Sequence, residues 1–315
     1  AYNENLLGRV PHPEKFQEVF KMKKDLVEHL DKTKIPEFNT ISPRDYTRAI
    51  QKIMNKGKAM FKQFLRMSPK MQAVFYFVFK KMYEEEVIPD SFIQTTLIAL
   101  HKKNDPRRAS NYRFLHLRSD LSRLFQLLVY LKLENHFDLH TDESQMGGRR
   151  DCDTVEHLAM ITSLVKDREE KGKGVLMCAV DAVKCFDRSH LSDNHAILQL
   201  EGADRKAMKV LYKYQKMNVI RVSGSNKPII IMNGMGQGGI PDARVTTSGI
   251  TEATVRHMAK LPKELALHHR NERVDNQGYV DDGLLCSDNT ESSGRATELY
   301  GDMMDELSME AHPEK

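Results

Sequence analysis

Between residues 95 and 287, short aliphatic or β-branched runs take turns with long helical stretches, and this alternation constrains the fold of the 315-residue chain more than any other feature. "SFIQTTLIALHKKND" reads as a strand ended by a basic pair and a turn. "VLMCAV" follows the break "KGKG" and stops directly at Asp181. "NVIRV" and "PIIIMN" form a hairpin-like pair around "SGSN", and "GYVDDGLLCSD" reads as strand, turn, strand. Helical spacing fills the gaps: "SDLSRLFQLLVYLKLENHF", a stretch from Asp153 in which Val155, Leu158, Ile161 and Val165 share one face, a stretch over about 193 to 216, and another over about 245 to 260. Strands separated by helices predict a mixed α/β or α+β sheet covered by helices on one face.

Residues 14 to 88 read as helices. Phe16, Val19, Phe20, Leu26, Val27 and Leu30 follow helical spacing; "TISPRDYTRAIQKIM" opens with a Ser cap and a proline at the first helical position; "KMQAVFYFVFKKMYEEE" stops before Pro89. The bulk numbers exclude little. Forty-eight basic and 44 acidic residues leave +4, so a nucleic-acid surface has to come from local clusters such as "KKNDPRR", "GGRR" and "LHHRNER". Cys152, Cys178, Cys185 and Cys286 lack CxxC spacing and read as reduced thiols, neither disulfides nor zinc ligands. The longest wholly apolar run near the N-terminus, "AVFYFVF", is too short to span a bilayer, so a soluble, intracellular chain is expected. Starting without methionine and ending on "HPEK", it reads as a portion of something longer.

The chemistry-bearing residues are acids at strand ends. "VLMCAVDAVKCFD" puts Asp181 at the exit of a hydrophobic strand, and "YVDDGLL" puts Asp281 and Asp282 in a turn. Carboxylates that converge repel one another and raise each other's pKa unless cations neutralise them. Hard divalent cations suit such oxygen ligands and leave positions open for phosphates. A pair of them about 4 Å apart can activate a hydroxyl and stabilise the leaving oxygen of an in-line phosphoryl transfer.

Six ordered segments, from about residue 38 to the end, resemble the reverse transcriptases, most closely those of non-LTR (LINE-type) retrotransposons and group II introns. "VIPDSFIQTTLIALHKKNDPRRASNYRFLHL" is similar to the fingers pattern, and "SQMGGRRDCDTVEHL" to the "QfGFr" segment. "VDAVKCFDRSH" is similar to the first palm motif, "NGMGQGGIPDA" to the "G..QG...SP" motif, "YVDD" to the metal-binding hairpin, and "LSMEAHPEK" to the motif after it. The resemblance implies an α+β right-hand polymerase: fingers and palm with a central antiparallel sheet backed by helices, and an N-terminal helical extension, a thumb being expected after Lys315. The division it implies is 1–88 for the extension leading into the fingers, 89–174 for the fingers and 175–315 for the palm.

By the same resemblance, Asp181, Asp281 and Asp282, with the carbonyl of Ala182, hold two Mg²⁺ ions, for which Mn²⁺ can substitute. Phe186 lies under the incoming sugar, where a rigid ring clashes with a 2′-hydroxyl. Gln237 and Gly238 lie along nucleotide and template, glycine letting backbone approach closely. Lys102 and Arg113 hold the triphosphate, Tyr279 belongs to the substrate-binding hairpin, and Lys315 matches a lysine placed to protonate pyrophosphate. The implied partners are an RNA template, a DNA primer and dNTPs, with action in the nucleus. Departures from the pattern carry their own expectations. Phe114 and His116 change the shape of the turn in "NYRFLHL", Asp242 adds negative charge near the nucleotide path, and Gly278 and Gly283 weaken the hairpin strands. They keep a rival in view, a catalytically inactive or decayed reverse-transcriptase-like RNA-binding scaffold. An RNA-dependent RNA polymerase is a further alternative, opposed by Phe186.

Overall fold

The computed structural model describes residues 40–55, 66–149, 152–216, 219–222, 228–230, 234–236, 238–239, 241–270 and 272–311. The helix expected over 16–30, most of "MNKGKAMFKQFL", Gln237 and Lys315 lie outside them.

Helix α1 (Pro43–Asn55) starts as the sequence predicts, with Pro43 in its first turn. The Ser42 hydroxyl accepts from the Asp45 amide at 3.1 Å while the Asp45 carboxylate accepts from the Ser42 amide at 2.9 Å, a reciprocal cap. Helix α2 (Pro69–Glu84) is capped by Ser68, and a single turn, α3 (Asp90–Ile93), leads into strand β1 (Thr95–His101). The stretch "YRFLHL", expected as a turn, is instead strand β2 (Tyr112–Leu117), paired antiparallel to β1 with Leu100 opposite Arg113. The real turn is the polar stretch before it, where Asp105 caps the Arg107 amide and Asn111 reaches back to the Asp105 carbonyl.

Helix α4 (Asp120–His140) is the spine of the main core: Leu124, Phe125, Leu128, Leu133 and Phe137 are fully buried against α1, α2 and α8 (Arg205–Lys216). Helix α5 (Thr154–Glu170) has the capping box of Asp153 and Glu156, but its expected inner face is turned out. Val155 is 68 % and Leu158 64 % exposed, whereas Leu164 is buried with Leu267, Val274 and Cys286. The helix is anchored through its C-terminal half. Strand β3 (Leu176–Asp181) and the short helix α6 (Cys185–Arg188) follow. The helical stretch expected over 193–216 is two helices, α7 (Leu191–Leu200) and α8. They are parted at Gly202 (φ 90°), and the Asp204 carboxylate accepts from the Ala207 amide to start α8.

Strands β4 (Val219–Val222) and β5 (Pro228–Ile230) pair antiparallel as expected, and β4 also runs parallel to β1, giving a four-stranded mixed sheet in the order β2-β1-β4-β5. Helix α9 (Asp242–Met258) and a small hairpin, β6 (His268–His269) with β7 (Glu272–Arg273), precede β8 (Asn276–Tyr279) and β9 (Asp282–Ser287). The antiparallel sheet β3-β9-β8 is backed by α9 and α10 (Thr290–Glu306), through Ile250, Ala253, Leu285, Leu299 and Met303. The fold is thus α+β, its antiparallel sheet three-stranded and helix-backed. No described helix is long and apolar enough to cross a membrane.

Candidate active site

The acids meet at one end of the three-stranded sheet. Asp181, the last residue of β3, is the register partner of Asp282, the first residue of β9, and Tyr279 pairs with Asp282 from the other side. Partners in an antiparallel ladder have Cα atoms about 4.5–5.5 Å apart. Asp281 is the neighbouring residue in a two-residue loop. The three acids are therefore brought together by backbone register alone.

Their electrostatics mark the site. The Asp281 carboxyl is held above the usual range by burial first, and then by the negative charge of Asp181; the charges of Arg113 and Lys102 act in the opposite sense. Lys102 follows β1 and Arg113 sits on β2, both exposed, so the cations that act on Asp281 come from the strand pair of the four-stranded sheet. Two further groups report the same convergence. The buried Cys185 thiol is pushed well up by desolvation and then by Asp281, Asp187, Asp181 and Asp282. Tyr300 is raised by burial and then by Cys185, Asp281 and Asp282. Asp187 is a fourth carboxylate at the site. Burial raises its pKa, while Lys184 and Lys102 pull it down. Its position one residue after Phe186 was the only signal of it.

Ala182 is buried, forms a bridge with Ala311, and is followed by Val183, whose amide donates to the Glu310 carbonyl at 2.8 Å, so the "SMEA" segment lies beside the end of β3. Phe186 is half-buried on the main core. Its carbonyl accepts from the Met235 amide at 2.6 Å, and a Cβ at Gly234 (φ 92°) would stand 2.6 Å from the Asp187 carbonyl. Gly238 (φ 116°) lies against the His116 backbone. The glycine turn thus joins Phe186 to β2. The Tyr279 ring is half-buried and stacks on His157 of α5, centroids 5.9 Å apart and 8° from parallel.

Asp242, expected near the nucleotide path, turns inward instead. It is 1 % exposed and accepts from Gln215 at 2.5 Å; Gln215 in turn accepts from His195 at 2.6 Å. A Cβ on Gly239 would lie 1.9 Å from its carboxylate, so the glycine turn makes room for it. Burial raises its pKa, opposed by Arg118, by Gln215 and by the Gly239 amide. Arg118 lies 4.5 Å from the Tyr214 ring centroid, and His116 packs its ring on Gly236. These substitutions build one buried polar cluster and leave the acids untouched. The hairpin glycines are likewise explained by space: a Cβ at Gly278 would meet Gln145, and one at Gly283 would meet the Tyr300 hydroxyl.

Among the described residues no three His, Cys, Asp or Glu side chains stand as a closed metal-holding group. The donor chemistry nonetheless suits a hard divalent ion, since Asp181, Asp281 and Asp282 offer only carboxylate oxygens and the negative charge of Asp181 acts on Asp281. The backbone places these carboxylates together.

Residues 100–315 match the model of the family "Reverse transcriptase (RNA-dependent DNA polymerase)". A comparison with curated proteins found no match. Among solved structures, the chain is similar to one of apo telomerase from Candida tropicalis truncated from the C-terminal domain, with a TM-score of 0.49 and 13 % identity, over 73 % of this chain and 50 % of that one. It spans half that chain's length.

Proposed function

The chain belongs to the reverse transcriptase (RNA-dependent DNA polymerase) family, and from that premise we propose that it is the RNA-directed DNA polymerase of a non-LTR or group II type retroelement, joining dNTPs to a DNA primer on an RNA template. The observation that carries the proposal is the pairing of Asp181 with Asp282 beside Asp281, with the charges of Lys102 and Arg113 acting on Asp281 from the other sheet. Asp181, Asp281, Asp282 and the Ala182 carbonyl hold the metal. Two Mg²⁺ ions, or Mn²⁺ in their place, supply charge neutralisation and lower the pKa of the primer 3′-hydroxyl when bound. Lys102 and Arg113 bind and orient the triphosphate, the arginine as a fork and the lysine as a point charge. Phe186 lies under the sugar and rejects a 2′-hydroxyl, while Gln237 and Gly238 follow nucleotide and template and Tyr279 supports the hairpin. Residues 89–174 serve as fingers and 175–315 as palm, the β4–β5 hairpin crossing over to the fingers sheet. Action in the nucleus follows from the family alone.

A scaffold of the same fold that binds RNA without polymerising is the second reading, favoured because no three His, Cys, Asp or Glu side chains among the described residues are grouped to hold a metal ion. Primer extension on an RNA template with Mg²⁺, comparing dNTPs with rNTPs, decides between them. DNA synthesis that vanishes in Asp281→Ala, Asp282→Ala supports the polymerase. A folded chain that binds RNA and makes no product supports the scaffold.

A further inference from the structure

We propose that Gln145 is a positioning residue for the acid turn: its carboxamide clasps both polar groups of Val280 and so holds Asp281 in its working place, a role that rests on the polymerase reading above. The loop between β8 and β9 has only two residues, Val280 and Asp281. Val280 stands at φ 63°. For a β-branched residue that is a true outlier, and a two-residue hairpin loop with positive φ at its first position alone ordinarily puts glycine there. A strained conformation of this kind persists only where its surroundings over-determine it.

Gln145 provides that determination. Its Oε1 accepts from the Val280 amide at 2.8 Å, and its Nε2 donates to the Val280 carbonyl at 3.2 Å. Oε1 also accepts from the Gly147 amide at 2.9 Å, and Nε2 reaches Thr251 Oγ1 at 3.4 Å. The Thr251 hydroxyl donates to the Thr247 carbonyl at 2.8 Å, which leaves its oxygen free to accept. Both lone pairs and both N–H groups of the carboxamide are in use, on a side chain 3 % exposed. The clasp is itself fastened. The Met146 amide donates to the Gly278 carbonyl at 2.8 Å and the Gly278 amide to the Ser144 carbonyl at 2.7 Å, so residues 144–146 run alongside β8. Two glycines clear the space, since a Cβ at Gly147 would stand 2.2 Å from the Val280 nitrogen and one at Gly278 2.8 Å from Gln145 Nε2. A residue there only to fill volume would need none of these bonds.

Gln145→Met keeps the volume and removes every bond, while Val280→Gly removes the strain that the clasp restrains. In primer extension, Gln145→Met is expected to lower kcat about 100-fold, the scale set by a small misplacement of reacting groups, with KM for dNTP nearly unchanged. Hydrogen exchange over residues 279–282 is expected to quicken about tenfold. In the Val280→Gly background the same substitution should cost roughly tenfold or less in kcat, because glycine adopts positive φ unaided. Wild-type kcat and wild-type exchange in Gln145→Met would overturn the inference, as would an equal kcat loss in both backgrounds. If the wild-type chain makes no product, it is the polymerase reading that fails, and hydrogen exchange at the turn alone then decides whether the clasp exists.

Discussion

Asp242 and Asp281 are both withdrawn from water and both hold their protons more tightly than an ordinary aspartate, yet their surroundings differ in kind. Asp242 has its answer inside the fold: an amide from Gln215, an amide from Gly239 and the charge of Arg118. Asp281 has a like charge at its side and its opposing charges on another sheet. A carboxylate met by donors and a cation from within serves structure; one set against a second carboxylate has no such answer at its side. The contrast also shows why Asp242, which reads in the sequence as an intrusion on the site, does not disturb it.

The sharpest way to break the contrast is to neutralise each acid in turn. Asp281→Asn should abolish synthesis, a loss on the order of 10³-fold or more in kcat/KM, with the fold retained by circular dichroism. Asp242→Ala should do the opposite and act on stability. It leaves the Gln215 and Gly239 donors unmet beside a buried guanidinium, at a cost of about 2–4 kcal/mol in urea unfolding, and Asp242→Asn should cost markedly less.

A titration separates the buried cluster from the site. Burial, and then the charge of Arg118, lowers His116 to about 4; burial lowers His195 to about 4 despite its bond to Gln215. Both rings are neutral in the folded chain, so the stability they allow is complete above their unfolded value of 6.5 and is lost as pH falls from 6.5 toward 4. Each amounts to roughly 3 kcal/mol at full titration. Asp242 works against them, since its raised pKa favours the fold as pH drops. Thermal unfolding of His195→Gln should therefore fall less steeply over that window than the wild type, and an equal slope would remove His195 from the account. The smallest effect belongs to metal. Mg²⁺ at a hundredfold excess over its Kd should stabilise the wild type by about 2.7 kcal/mol and leave Asp281→Asn unmoved.

What was legible in the sequence is what local pattern carries. The strand that ends at Asp181, the YVDD hairpin, the Ser42 cap, the helix that starts from Asp153 and the β4–β5 pair follow from residues close together in the chain. The clasp of Gln145 on Val280 was not legible, because it joins residues 135 positions apart. Asp242 misled because a charge beside a glycine motif carries no sign of which way it points. Val155 and Leu158 misled because periodicity shows that a face is apolar, whereas which half of the helix docks is decided by the neighbours of Leu164. The glycines at 278 and 283 weaken strands in isolation, and their reason is a side chain from elsewhere in each case.

The parallel pairing of β1 with β4 has a consequence for how the chain is made. Thr95, Thr96 and Leu97 wait for Ile220, Arg221 and Val222, more than 120 residues later. Chain emerging from a ribosome therefore carries β1 and β2 with one edge open until Asp181 and the three helices α6, α7 and α8 have been synthesised. Such long-range parallel closure slows folding and leaves an exposed edge available to other chains meanwhile. A fragment cut before residue 219 would keep that edge for good, so the strand pair that carries Arg113 and leads into Lys102 matures only together with β4, which follows Asp181 in the chain.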